Sequence, residues 1–291
     1  MKRLVVSTWE TSGLLLWSDL KVSFSHIIID EAAQMLEPAA LLPLCLASSV
    51  TNVILSGDSE QIGPKVLSKL ARSHGLGVSV IERLLQTEWY KQEHKLWTQL
   101  LVNYRNHPDI VALSSRLFYE GKIQSAGLLD VSWLSRWNFM PNNNKFPVLF
   151  LDVLGNDRQD VDSPSFFNVS EAESITSILV DLLRNCRPMI SAEDVQVISG
   201  HRKQIEIIRK LLREHPNDAL QLSRVNVGPV ESIQGREKKV VIISTVRASE
   251  DWLASDLYKD EGFVFNPKRL NSAMGRASQL LCFVGHAKLL A

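Results

Sequence analysis

The run Ile27-Ile28-Ile29 is unbroken β-branched sequence that ends in two adjacent acids, Asp30 and Glu31. Such a run predicts a parallel strand buried on both faces, with the acids at its carboxyl end, where open α/β sheets place ligands. After Pro38 the pattern predicts helix over 39–46. Asn52-Val-Ile-Leu55 then predicts a second strand, running into the turn Gly57-Asp-Ser-Glu-Gln-Ile-Gly-Pro64. Leu4-Val5-Val6 predicts a short buried strand near the start, and Leu14 to Trp17 with Leu20 a short apolar helix face. Apolar positions at Val66, Leu70, Val78, Ile81, Leu84 and Leu85 predict helix across 65–85, and the aperiodic polar stretch 86–95 reads as a linker.

A second block repeats the rhythm. Leu100-Leu-Val102 opens a strand, 110–119 reads as helix, and 121–147, rich in Ser, Asn, Gly and Trp, reads as an irregular surface insertion. Strands are expected at 148–152, 195–199, 239–246 and 280–285. An amphipathic helix over 170–184 is expected to open with a capping box of Ser170 and Glu173, and a charged helix is expected over 202–213. Arg269 and Arg276, seven positions apart, would share one face of a helix. The strand-helix alternation predicts the α/β class with mainly parallel sheets, in two domains covering 1–97 and 98–291.

Composition narrows the function classes. A chain of 291 residues with 45% hydrophobic and 22% charged residues is globular and long enough for two cores. Lys+Arg and Asp+Glu each total 32, so a polyanion must be held by a local groove rather than by a global positive field. Cys45, Cys186 and Cys282 lie far apart, and no histidines stand at ligand spacing, which argues against a disulfide framework or a structural zinc. No apolar run approaches the roughly 20 residues that span a bilayer. Met1-Lys-Arg-Leu-Val-Val is soon followed by Ser7, Thr8 and Glu10, a poor signal peptide. A soluble intracellular protein without membrane insertion is therefore expected.

The residues also carry chemistry. Paired carboxylates at a strand end suit a nucleotide, because one can hold Mg²⁺ through its water shell while the other polarises an attacking water. An acidic helix N-terminus accounts for the same pair equally well. Asp58 and Gln61 put a further acid and an amide at a strand end; if the two strands are neighbours, Asp30, Glu31 and Gln61 converge on one crevice. Gly235 permits either a ligand's close approach or a tight bend. The 202–213 face, with Arg202 at its head, is either solvated or a contact to a phosphate backbone.

Taken together, five stretches resemble successive motifs of superfamily 1 RNA helicases of the nonsense-mediated-decay type, and most of all the Armitage-like branch. They are Asp30-Glu-Ala-Ala-Gln34, Gly57 to Pro64, Asn103-Tyr-Arg105, Glu231-Ser-Ile-Gln-Gly-Arg-Glu237 and Arg269-Leu-Asn-Ser-Ala-Met-Gly-Arg276. The resemblance implies two RecA-like domains that bind ATP between them and move along single-stranded RNA. On that pattern Asp30 would coordinate Mg²⁺, Glu31 would activate the hydrolytic water, and Gln61 would sense the γ-phosphate. Arg105 and Arg276 would meet the developing phosphoryl charge. Asp58, Gly235 and Glu237 would lie by the nucleotide, Glu237 near its sugar, while Ser232, Gln234 and Gly235 would lie near the RNA backbone. Arg202 takes the place of an aromatic residue beside the RNA.

The departures are as informative. No Gly-Lys-Ser/Thr occurs in the chain, so the phosphate loop is expected before residue 1, in keeping with the abrupt strand at Leu4 and a first domain truncated at its N-terminus. Gly275 stands where the family has Thr, and Gly200-His201 where it has Thr-Pro. Two readings follow. One is a helicase motor region, monomeric, cytoplasmic and in ribonucleoprotein granules, working with small-RNA silencing proteins, and inactive in ATP hydrolysis as this chain alone. The other is a helicase-derived scaffold that binds RNA or protein without hydrolysis. An unrelated Rossmann-type enzyme would need a GxGxxG, which is absent from the sequence.

Overall fold

A computed structural model describes residues 4–17, 23–93, 95–140, 146–233, 235–253, 256–257, 262–263 and 265–290. The chain divides into two compact units, Met1–Gln99 and Leu100–Ala291. Both are α/β with parallel main sheets, in agreement with the expected class.

The first unit runs α1 (Trp9–Leu16), β1 (His26–Ile29), α2 (Glu37–Leu44), β2 (Asn52–Leu55), α3 (Lys69–Ser73), α4 (Val80–Gln86) and α5 (Glu88–Gln92). β1 and β2 pair in parallel, with Ile29 opposite Leu55. Ile27 and Ile29 pack on Ala32, Met35, Ala40 and Val80, but Ile28 points the other way and is 67% exposed. Burial of β1 on both faces is thus corrected to strand alternation, since successive side chains of a strand take opposite faces. Leu4 to Val6 form no strand and are exposed. A β-branched run has no ladder of its own, and its pairing partner decides whether it becomes a strand. The helix expected over 65–85 breaks in two, ending at His74 before Gly75 at φ 87° and restarting where Ser79 Oγ accepts from Glu82 N. The expected linker 86–95 includes α5.

The second unit holds β3 (Val102–Asn103), α6 (Pro108–Phe118), β4 (Gln124–Ser125), β5 (Val148–Asp152), a small hairpin β6 (Arg158–Gln159) with β7 (Phe166–Phe167), and α7 (Val169–Asn185). β8 (Val195–Ser199), α8 (Arg202–Glu214), β9 (Asn226–Gly228), β10 (Lys238–Ser244), α9 (Pro267–Met274), β11 (Ala277–Gly285) and α10 (Ala287–Leu290) complete it. Its main sheet has the order β5-β11-β10-β8-β9, parallel throughout. The inner strands are continuous apolar runs because both faces are covered, and Val240 to Ile243 are fully buried.

Three expectations for this unit change. The supposed surface insertion contributes Val131, Trp133, Leu134, Trp137 and Met140 to the main core through a 3₁₀ turn at Ser132–Arg136. Its spacing fits neither the helical nor the strand period, and the burial comes from large aromatic rings. The cap of α7 is Asn168, whose Oδ1 accepts from Glu171 N at 3.1 Å, rather than Ser170. Finally, α9 ends at Met274, so Arg276 lies beyond it and shares no helix face with Arg269.

Candidate functional site

In the first unit the parallel pairing carries the ends of β1 and β2 to one edge. Ser56 N donates to Ile29 O and Ala32 N to Ser56 O, which stitches the two turns together. Asp30 Oδ1 accepts from Ser56 Oγ at 2.6 Å and from Glu31 N at 3.0 Å. Glu31 adopts φ 53°, a left-handed conformation that a residue with a Cβ holds only where its surroundings impose it. Its Oε2 accepts from Gln34 Nε2 at 2.7 Å. Across the edge, Asp58 Oδ2 accepts from Gln61 Nε2 at 2.7 Å. Gly57 lets the turn after β2 pass close to the turn after β1, because a Cβ there would stand 2.8 Å from Ala33 N. Asp30 and Glu31 are exposed and Gln61 is half-buried, so the edge is open to a ligand.

The Asp30 carboxylate and the Ser56 hydroxyl beside it are oxygen donors of the kind Mg²⁺ takes. Among the described residues no group of three His, Cys, Asp or Glu side chains could hold a metal by itself. A cation at Asp30 would therefore complete its shell with water and phosphate oxygens, as Mg²⁺ does in nucleotide sites.

In the second unit the candidate arginines converge. Arg105 Nε lies 3.5 Å from Glu237 Oε2, and Arg276 Nη1 donates to Arg236 O at 3.5 Å, so both guanidinium groups rest against the same two-residue stretch. Lys238 N donates to Arg276 O at 2.9 Å, which ties the start of β10 to the turn that carries Arg276. Arg105 and Glu237 are more than a third exposed, so their pair is available for exchange with an anionic ligand.

The expected RNA residues are less concentrated. Ser232 Oγ donates to Pro229 O at 2.6 Å and helps shape the 230–233 turn, while neighbouring Glu231 pairs with Arg269 at 3.3 Å. Gly235 sits at φ 70° with open space around it, a conformation that favours glycine. Gln234 lies outside the described residues. Arg202 heads α8 with its side chain 88% exposed and pairs with Glu206 on its own helix.

Sequence reasoning missed two structural supports. One is Asn103 with Asn106, which fix the turn bearing Arg105. The only signal was an Asn on each side of Tyr104-Arg105. The other is a buried cluster at the carboxyl ends of β8 and β10, for which the sequence offered no signal. Arg247 makes a two-pronged pair with Asp256, reaches Asp157 at 2.9 Å, and lies over the Phe166 ring at 3.8 Å. Glu171 accepts from Ser244 Oγ at 2.6 Å and Val246 N at 3.0 Å, and burial pushes its carboxyl up to about 7. His201 is held down to about 4, first by burial and then by Arg247, and its buried Nε2 has no hydrogen-bond partner among the described residues.

Comparison with known proteins adds an independent line. Two family models, each described as an AAA domain, match residues 1–69 and 76–288. The mouse (Mus musculus) RNA helicase Mov10l1 is 36% identical over 302 residues, covering 99% of this chain and 25% of its own length. The putative helicase MOV-10 of Gallus gallus is 36% identical over 319 residues, covering 99% of this chain and 32% of its own length. The probable RNA helicase armi of Drosophila melanogaster is 30% identical over 311 residues, covering 99% and 26% respectively. The chain thus spans a quarter to a third of the length of these relatives. A solved helicase from PRRSV covers 90% of this chain and 34% of its own at 15% identity and a TM-score of 0.40. No helix among the described residues is long and apolar enough to cross a membrane.

Proposed function

The chain belongs to the AAA-domain helicases, and from that premise we propose that it is part of an RNA helicase motor that couples ATP hydrolysis to movement on single-stranded RNA. One observation carries the reading. Arg105 and Arg276, which come from distant parts of the sequence, meet at Arg236-Glu237, the arrangement a phosphoryl-transfer site needs from its arginines. In this reading Asp30 holds Mg²⁺, Glu31 orients and deprotonates the attacking water, and Gln61, positioned by Asp58, reads the γ-phosphate. Mg²⁺ neutralises charge on the phosphate oxygens when bound. Arg105 and Arg276 stabilise the charge that develops on the transferred group, and arginine's planar fork suits that task better than lysine. Glu237 then takes the ribose hydroxyls, and Ser232, Gln234 and Gly235 line the RNA backbone. Arg202 adds a phosphate contact at the head of α8. RNA silencing or decay is the setting we assign to the motor, as a monomer, on the Armitage likeness.

Gly275 and Arg202, which stand where the resembled family has Thr and an aromatic residue, favour a second reading, a scaffold that binds RNA or protein without turnover. Both readings leave this chain inactive by itself, so assaying the purified chain for RNA-stimulated ATP hydrolysis tests whether turnover needs the phosphate loop. We expect turnover at background, with single-stranded RNA bound in a strongly salt-dependent manner. Salt-independent RNA binding would remove the phosphate-tracking groove. RNA-stimulated turnover that Glu31→Gln abolishes would show that the chain is a motor by itself and that the phosphate loop is dispensable.

A further inference from the structure

Asn106 stands next to Arg105 and is only 2% exposed. Its Nδ2 donates to Gly275 O at 3.1 Å and to Ala277 O at 2.6 Å, the two carbonyls that flank Arg276. Its Oδ1 accepts from Asn103 Nδ2 at 2.9 Å. Asn103 Oδ1 in turn accepts from the backbone N–H groups of Arg105 and Asn106, each at 2.9 Å. Next door, His107 N donates to Ser278 O at 2.8 Å. One carboxamide therefore clasps the backbone on both sides of one arginine while it sits adjacent to the other. The task requires two donors and one acceptor in a short side chain. Asp lacks the donors, Ser has one, Leu has none, and Gln is a methylene too long.

We propose that Asn106 is a positioning residue that sets Arg105 and Arg276 in register as a pair, so that both guanidinium groups engage one polyphosphate. The inference rests on the reading above in which both arginines act on phosphate. Without this clasp the turns at 103–107 and 275–278 keep the His107–Ser278 bond but lose the two bonds that hold the carbonyls on either side of Arg276, and the arginines act independently.

A double-mutant cycle tests it. Binding of inorganic tripolyphosphate with Mg²⁺ is measured by calorimetry for the intact chain, Arg105→Gln, Arg276→Gln and the double variant, then again in Asn106→Asp and Asn106→Ser backgrounds. Each arginine substitution is expected to weaken binding about tenfold, the size of a charge-assisted hydrogen bond. The two effects should be coupled by about fivefold or more in the intact chain and additive in both Asn106 backgrounds. A merely structural role for Asn106 would lower the melting temperature and leave the coupling unchanged. Unchanged coupling, or its absence from the intact chain, overturns the positioning role while leaving the arginine reading in place. Tripolyphosphate binding that neither arginine affects overturns the reading beneath it. If neither Asn106 variant unfolds cooperatively, hydrogen exchange of the Asn106 Nδ2 protons in the intact chain decides. Protection of about a hundredfold over an exposed carboxamide supports the clasp, and the exchange rate of a free carboxamide removes it.

Discussion

The two units place their candidate residues on different kinds of foundation. In the first, Asp30, Glu31 and Gln61 project from turns after two short strands, and their side chains bond to Ser56, Gln34 and Asp58 respectively. In the second, the turns that hold Arg105 and Arg276 are braced by a buried carboxamide, and the Arg276 turn leads into β11 of a five-stranded sheet in which Val240 to Ile243 of β10 are fully buried. The strands differ in the same way, since Ile28 of β1 is largely exposed whereas Ile242 of β10 is wholly buried. The comparison teaches that the turns under the arginines are braced by a buried side chain, whereas the carboxylates are held by exposed hydrogen bonds that a cation or phosphate can exchange.

The largest effect that bears on this contrast is expected from Arg247→Ala in the second unit. It would leave Asp157 and Asp256 buried and unpaired, and loss of one partner of a buried ion pair costs about 3–5 kcal/mol. Chemical denaturation should show that loss in the second unit's transition, and a change below about 1 kcal/mol would contradict the buried network. Next come paired core truncations. Ile242→Ala should destabilise by about 2–5 kcal/mol, while Ile28→Ala, at an exposed strand position, should cost less than about 1 kcal/mol. Equal costs would erase the contrast.

A pH series sharpens it further. Burial holds the Glu171 carboxyl at about 7, against an ordinary 4.5, so the folded chain keeps a proton that the unfolded chain releases. That contribution is complete below about pH 4.5 and is lost as pH rises through about 7. His201 runs the other way, since its contribution is present above about 6.5 and is lost as pH falls towards 4. The two oppose each other between those limits, and above about pH 6.5 Glu171 acts alone. Glu171→Gln should remove the decline, shifting the slope of stability against pH upward by at most about 1.4 kcal/mol per pH unit. Superimposable slopes for the variant and the parent would show that Glu171 does not titrate in the fold. The smallest effect is expected from Arg202→Gln. It should change stability by no more than about 0.5 kcal/mol, because its pair with Glu206 is an exposed helix pair, yet it should lower the salt slope of RNA binding by about one unit. An unchanged salt slope would take Arg202 out of the RNA contact.

Much of this protein was legible in the chain. Periodicity located β2, β5, β8 and β10 and the helices α6, α7 and α8, because local side-chain spacing reports which face is apolar. Motif order placed the carboxylates and arginines on separate halves, and the division falls at Gln99–Leu100. Periodicity failed where burial depends on distant partners. Leu4 to Val6 had the right residues but no strand beside them, and Trp133 and Trp137 are core residues on an irregular backbone.

Sequence by itself determined the α/β class, the family and the identity of the charged residues, since each is written in local spacing or in short motifs. Tertiary structure alone decided that Asn106 bonds to carbonyls 169 and 171 positions away, that Arg105 and Arg276 rest on one dipeptide, and that Arg247 is buried with two acids. Hydrogen bonds and ion pairs between distant segments depend on where the chain returns in space, and no periodicity along the sequence encodes that return.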